Sequence, residues 1–546
     1  MSSTLSPVDF YISNYRMLLK SAGELTIDKI INSHMEVKPL LHEKAHLKEV
    51  DTSAFIYSLL RLPPSMSQVK KIILGQSYSV FKKNGWSKIS RWKEVVSPGR
   101  RRKMYWDGKD TLAMYITSVS DVDDVITLLT AFQIEWNKLH QVLKNQNSLA
   151  DKTKEILDAE GHEKIKKIWG PDYYNFLTAI KHREVSFTVK LLAGSYSEYA
   201  KATNEWWHHV ENSARSSRLA DRPIYFISSN THSVINVLTR FVKEEESVLV
   251  DYLNRTKDSN LLMLWNEIER GSIPIFREHF LYYISKKYAK LDSDFIKRKK
   301  SREHTHGIHT ISAGRFLDID AQVVEMCKLG NAKLDERVGV DTKKLHKSEA
   351  VIVNIDYPLG WAAYQILTAI SHRVDSIRGI YIMGKAAALV GEIGDILIPT
   401  TIFDQHSKNL YSFSNTFSRS DFAPIFKTGS IFDNLKTMTA KGTFLQSAAM
   451  IKKWYESGFG SIEMEGGPYL NAVYELLYYN RYEENQSIHL TNLPFDLGIV
   501  HYTSDTPYSK AKNLGVRNLS FEGVESTYAA SLAIVKKIIE TENKYL

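Results

Sequence analysis

The residues best suited to chemistry lie late in the chain. Asp505 closes the apolar run LGIVHYTSD, beside the hydroxyl of Ser504. A carboxyl group at the mouth of a strand can hand over a proton when burial raises its pKa. Glu463 and Glu465 flank Met464 in SIEMEG, where a strand is predicted to feed a helix. Gly384 and Lys385 follow the strand-like run SIRGIYIM, and Gly360 follows EAVIVNID across a turn that holds Pro358. Both glycines mark tight segments where backbone N–H groups can approach a ligand. Phe444, in the turn GTFL, adds an aromatic face. Taken singly, Met464 and Phe444 are more often core residues than ligand contacts, Asp505 serves as a cap, and Glu465 pairs with a surface lysine. Joint placement argues otherwise, because each falls at the carboxyl end of a strand, where open α/β sheets collect their ligand sites.

The elements that must hold these residues alternate. After about residue 345, EAVIVNID, SIRGIYIM, GDILIP, SIEMEG and LGIVHYTSD read as strands, separated by helical runs such as WAAYQILTAIS and closed by ESTYAASLAIVKKIIE. That alternation predicts an α/β domain with a mixed sheet flanked by helices. Before residue 300, runs such as DVDDVITLLTAFQIEWNKLHQVLKN place apolar side chains three and four apart, as helices do. The stretch from Phe176 to Val210 continues in that style. The predicted organisation is therefore a mainly helical region over 1–300, a linker or domain edge over 301–345, and a catalytic domain over 346–546.

Composition narrows the function classes. A chain of 546 residues with 43% hydrophobic content supports two or more cores. Cys327 is the only cysteine, so no intrachain disulfide forms, and MSSTLSPVDFYISNYRM lacks the features of a secretory signal. No apolar stretch reaches the roughly 18 residues of a membrane span. A soluble cytoplasmic protein is expected. The net charge of +9 is dispersed among 71 basic and 62 acidic residues, so nucleic acid is not the expected partner. Two local basic runs, GRRRK from Gly99 and IKRKKSREHTHG from Ile296, read as solvated surface or linker, with phosphate binding as the alternative. His304, His306 and His309 stand in the second run without a Cys or acidic pair to complete a ligand set, so no metal site is expected. In RPIYFISSNTHSVINVLTRF a strand meets a polar turn and a helix, which fits helix capping or an anion site.

The ordered set VNIDYPLGWAA, IMGKAAALVGEIGDILIP, GTFL, SIEMEG and VHYTSDTP resembles the nucleoside phosphorylase and nucleoside hydrolase superfamily from about Glu349 onward. Within it, SDTPYSKAKNLG looks most like the AMP nucleosidases. The resemblance implies cleavage of a purine N-glycosidic bond in a nucleoside or nucleotide, without a cofactor and in a homo-oligomer. Asp505, beside Ser504, would protonate the base at N7. Glu465 would hold the ribose hydroxyls and stabilise the developing cation. Met464 would pack on the sugar and Phe444 on the base, with Glu463 also in the substrate pocket. Gly360 and Gly384 would cradle the nucleophile or a phosphate, while Lys385, Lys510 or Lys512 would meet a 5′-phosphate.

Two positions depart from the superfamily pattern. Lys385 stands where a small hydroxyl residue is usual, and Ile382 where bacterial phosphorylases often carry an Arg. The hydrolases' water-activating Glu has no counterpart ahead of Glu349. Three readings stay open: hydrolysis of AMP to adenine and ribose 5-phosphate, phosphorolysis of a purine nucleoside by inorganic phosphate, and a nucleotide-binding sensor that has lost turnover.

Overall fold

The computed structural model describes residues 6–256, 258–507 and 522–546. Two sheets organise it. The larger is built on four parallel strands in the spatial order Val351–Asp356, Pro223–Ser229, Ser376–Ala388 and Asp496–Asp505. Their sequences are almost continuously apolar because helices cover both faces. On one face lie Ser233–Thr239, Arg277–Tyr288 and Glu522–Tyr545. On the other lie Tyr196–Ser213, Ala362–Ser371 and Gly466–Leu477, with Trp206 and Tyr469 fully buried among them.

Beyond this parallel core the pairings close into a ring. Asp496–Asp505 pairs with Ser376–Ala388 on one side and Ile396–Asp404 on the other. The latter pairs with Ile431–Thr439, which pairs with Ser461–Glu463, and this short strand returns to Ala387 and Ala388. Closure places Asp505, Ala387 and Ile462 in one row across three strands. Residues from three separate stretches of sequence thus arrive at a single rim.

The α/β class and the strands expected after residue 345 are present, and so is the strand–turn–helix at residues 223–239. The region before residue 300 is not built of helices alone. It holds a second sheet of six strands, in the order Leu25–Thr26, Thr188–Leu191, Lys71–Gly75, Thr111–Tyr115, Arg100–Trp106 and Lys93–Ser97. The helical style expected from Phe176 to Val210 is broken by Thr188–Leu191. It resumes at Tyr196–Ser213, where Ser195 and Glu198 form a reciprocal capping box. Pro223–Ser229 sits in the middle of the larger sheet, which therefore draws on residues from both sides of 301–345. Within that segment Ile308–Ile311 and Ala321–Glu325 form an antiparallel edge of the same sheet. Pairing with partners distant in sequence decides strands of this kind, and periodicity in one window does not register it. Among the described residues no helix is long and apolar enough to cross a membrane.

Candidate active site

A cavity of about 350 Å³ opens between the two sheets, at the rim that carries Asp505 and Ala387. Its size falls in the range of small-molecule pockets, roughly 300–1,000 Å³. Gly384, Lys385, Ser504 and Asp505 line it from two neighbouring parallel strands. Glu463, Met464 and Glu465 line it from the turn between Ser461–Glu463 and the helix Gly466–Leu477. Gly384 is no turn, however, since the strand runs on through it to Ala388. A Cβ there would stand 3.2 Å from the His501 ring, so the missing side chain serves strand packing.

The carboxyl groups are set differently. Asp505 Oδ2 accepts a hydrogen bond of 2.7 Å from the Ser504 hydroxyl, which fixes its rotamer at the cavity wall. Glu463 is buried, and its carboxylate accepts from the backbone N–H groups of Glu465 and Gly466 at 2.6 Å each and from the Thr439 hydroxyl. It caps the helix and holds the turn in shape, and it does so from the cavity lining, where the sequence reading placed it. Glu465 is half-buried and accepts from the Gly360 N–H at 3.1 Å. Burial, reinforced by the Glu463 carboxylate beside it, pushes Glu465 up to about 8. Burial also pushes Glu463 up to about 7, against the hydrogen bonds it accepts. Gly360 itself does not line the cavity. Its φ of +51° suits glycine, and a Cβ would stand 2.4 Å from Ser120 Oγ, so it positions Glu465 and seats the turn against the helix Val119–Leu143.

Phe444 lies elsewhere than expected. Its ring is buried against His34, His42 and Tyr57, within the core of the residues that precede 200, while its neighbour Thr443 faces the cavity. The turn GTFL inserts an apolar side chain into the nearest core, which contributes more than exposing it to a ligand does. Phe444→Ala is expected to cost about 3–5 kcal/mol of stability, measured by chemical denaturation. A role in stacking on a base would instead lower ligand affinity and leave stability intact.

The cavity's opposite wall was not assigned from the sequence. Tyr57 and Arg61 come from the helix Thr52–Arg61, and Arg100, Arg101 and Arg102 from the strand Arg100–Trp106. Tyr57 and Tyr357 supply the aromatic faces, with the Arg61 guanidinium 3.5 Å above the first ring and that of Arg101 4.7 Å above the second. The only signal was the run GRRRK, whose strand position is set by pairing with Lys93–Ser97 and Thr111–Tyr115.

The remaining candidates do not converge. Among the described residues no group of three or more His, Cys, Asp and Glu side chains is placed to hold a metal ion. His306 Nδ1 lies 2.9 Å from the Arg302 carbonyl, and His309 faces Glu325. In the turn after Pro223–Ser229, Asn230 Oδ1 accepts from the N–H groups of His232 and Ser233, as a helix cap does. Lys510 and Lys512 lie outside the described residues.

A family profile described as a family of unknown function (DUF6909) matches residues 27–540. No curated protein matches the sequence. Among solved structures, S-adenosylhomocysteine nucleosidase from Streptococcus pyogenes is similar at 10% identity and a TM-score of 0.29, over 58% of this chain and 97% of that one. Uridine phosphorylase from Schistosoma mansoni aligns at 10% identity and 0.32, over 60% and 90%. The MTA/SAH nucleosidase of Streptococcus pneumoniae aligns at 12% and 0.28, over 43% and 93%. Similarity at this level carries no argument about the reaction, which has to come from the cavity.

Proposed function

The chain belongs to that family of unknown function, and with no activity to inherit from it we propose, from the cavity, an N-glycosidase that acts on a purine nucleoside or nucleotide. The observation that carries this reading is the convergence of Asp505, at the end of the strand Asp496–Asp505, and Glu465, in the turn after Ser461–Glu463, on one cavity, each held by its own hydrogen bond. Breaking a glycosidic bond leaves the bonding electron pair on the base, and a proton delivered to that base makes it a far better leaving group. Asp505 is the donor. The sugar left behind carries oxocarbenium character, and Glu465 meets it with a carboxylate that also accepts from ribose hydroxyls. A positive charge arriving beside Glu465 favours its ionised form and offsets part of the burial penalty. Met464 lays its thioether against the sugar between them.

AMP, hydrolysed to adenine and ribose 5-phosphate, is the favoured substrate. The cationic wall also supports phosphorolysis, with inorganic phosphate as nucleophile. Assembly into a homo-oligomer belongs to the same proposal and is read by light scattering. The test is to incubate the purified protein with AMP, adenosine, inosine and methylthioadenosine, with and without phosphate, and to separate the products by chromatography. Free base from AMP in the absence of phosphate supports hydrolysis. Base that forms only with phosphate supports phosphorolysis, and nucleotide binding with no base from any substrate leaves a sensor.

A further inference from the structure

The arginine wall has unmet hydrogen-bonding capacity. Arg100 has a side chain only 5% exposed, yet among the described residues its Nε and Nη2 have no hydrogen-bond partner. Its nearest carboxylates are Asp124, 3.3 Å from Nη1, and Asp121, 3.9 Å from Nη2. Asp121 is already engaged, accepting from the N–H and hydroxyl of Thr117. Buried guanidinium donors left without an acceptor are costly, and Arg100 is part of the cavity lining, so its charge favours an oxygen-rich anion there.

Neighbouring charges agree. Arg101 is paired with Asp356. Arg102 is buried and donates to the carbonyls of Asp318 and Tyr357 at 2.7 and 2.8 Å, and the carboxyl group its charge acts on is Glu465, across the cavity, without a direct ion pair. Arg61 lies over Tyr57, and Lys385 is exposed at the opposite lip. Neither has an ion-pair partner among the described residues. Five cationic side chains line the cavity together with five carboxyl groups, Asp121, Asp124, Glu463, Glu465 and Asp505, of which burial pushes Glu463 and Glu465 toward the neutral form; Asp356, outside the lining, pairs with Arg101. Guanidinium groups present several donors in a planar fork that matches phosphate oxygens.

Taking the cavity to be the substrate site, as proposed above, we infer that Arg61, Arg100 and Arg102, with Lys385 across from them, form a subsite for a phosphate group. The region before residue 200 then completes the active site and selects its ligand. Two sources share this chemistry, the 5′-phosphate of a nucleotide and free inorganic phosphate.

Isothermal titration of the full chain with AMP, adenosine and inorganic phosphate tests the subsite apart from turnover. AMP is expected to bind about 10- to 100-fold more tightly than adenosine. Arg61→Gln and Lys385→Gln are expected to shrink that ratio, and Arg61→Lys to recover part of it. Affinity for AMP should fall as salt rises. Inorganic phosphate that competes with AMP, with base release independent of it, identifies the substrate's own phosphate as the occupant. Base release that requires phosphate identifies the free ion. Equal affinity for AMP and adenosine, with no heat from inorganic phosphate, overturns the subsite even if adenosine is cleaved. Phosphate-selective binding without base release keeps the subsite and removes the glycosidase reading. Should Arg61→Gln fail to fold, the wild-type ratio and the exposed Lys385 decide.

Discussion

Asp505→Asn is expected to lower the rate of base release at saturating substrate by about 10²- to 10⁴-fold, the range typical of a positioned general acid. The substitution keeps the size of the side chain and an oxygen able to accept from the Ser504 hydroxyl, so the strand end at Thr503, Ser504 and Asp505 retains its register with Ala386 and Ala387. What it removes is the transferable proton. An unprotonated purine leaves as an anion, and the barrier rises in kcat with little change in binding. The measurement is initial base release by chromatography, with KM determined alongside and thermal unfolding compared to confirm the fold. A variant that releases base at the wild-type rate removes Asp505 from the chemistry. A variant that loses affinity but keeps kcat would make Asp505 a binding group only.

Much of this site is local in the sequence, and that is why it was legible there. Ser504 and Asp505 are adjacent, and Glu463, Met464 and Glu465 lie in one turn, so a strand-end reading brings each cluster into view. The row that joins Asp505 to Ala387 and Ile462 depends on register in a closed ring, which no single window contains. The arginine wall is further out of reach. Arg101 meets Asp356, and Arg102 meets the Tyr357 carbonyl, across 255 residues of chain. GRRRK resembles a solvated surface run until the second sheet packs against the first. Phe444 shows the converse case. A motif position can be right in order and still face a core, because a turn's aromatic side chain goes wherever burial is nearest. Gly360 was flagged for its turn, and its effect is exerted through the N–H that holds Glu465.

Glu465→Gln is expected to lower kcat by about 10²- to 10³-fold, the range seen when a group that stabilises developing charge is removed. The amide can still accept from the Gly360 N–H and from ribose hydroxyls, so binding persists while the charge facing the cation is lost. The pH dependence separates this role from a merely structural one. In the free protein the Glu465 carboxyl is pushed up to about 8 by burial and by Glu463. If the ionised form is the active one, the Glu465 ionisation gives kcat/KM of the wild type a limb that rises with pH toward about 8, opposed by a falling limb from the proton that the general acid must carry. Glu465→Gln flattens the rising limb. Stability runs the other way. A carboxyl group whose pKa is raised by folding binds its proton more tightly in the native state, so its contribution is present below the unfolded value. That contribution fades as pH rises through about 8. The Gln variant carries no such proton, so its Tm relative to wild type should climb between pH 5 and pH 9. A rising limb that survives the substitution assigns the ionisation to another group. A flat limb together with the opposite trend in Tm places one proton on Glu465 in both measurements.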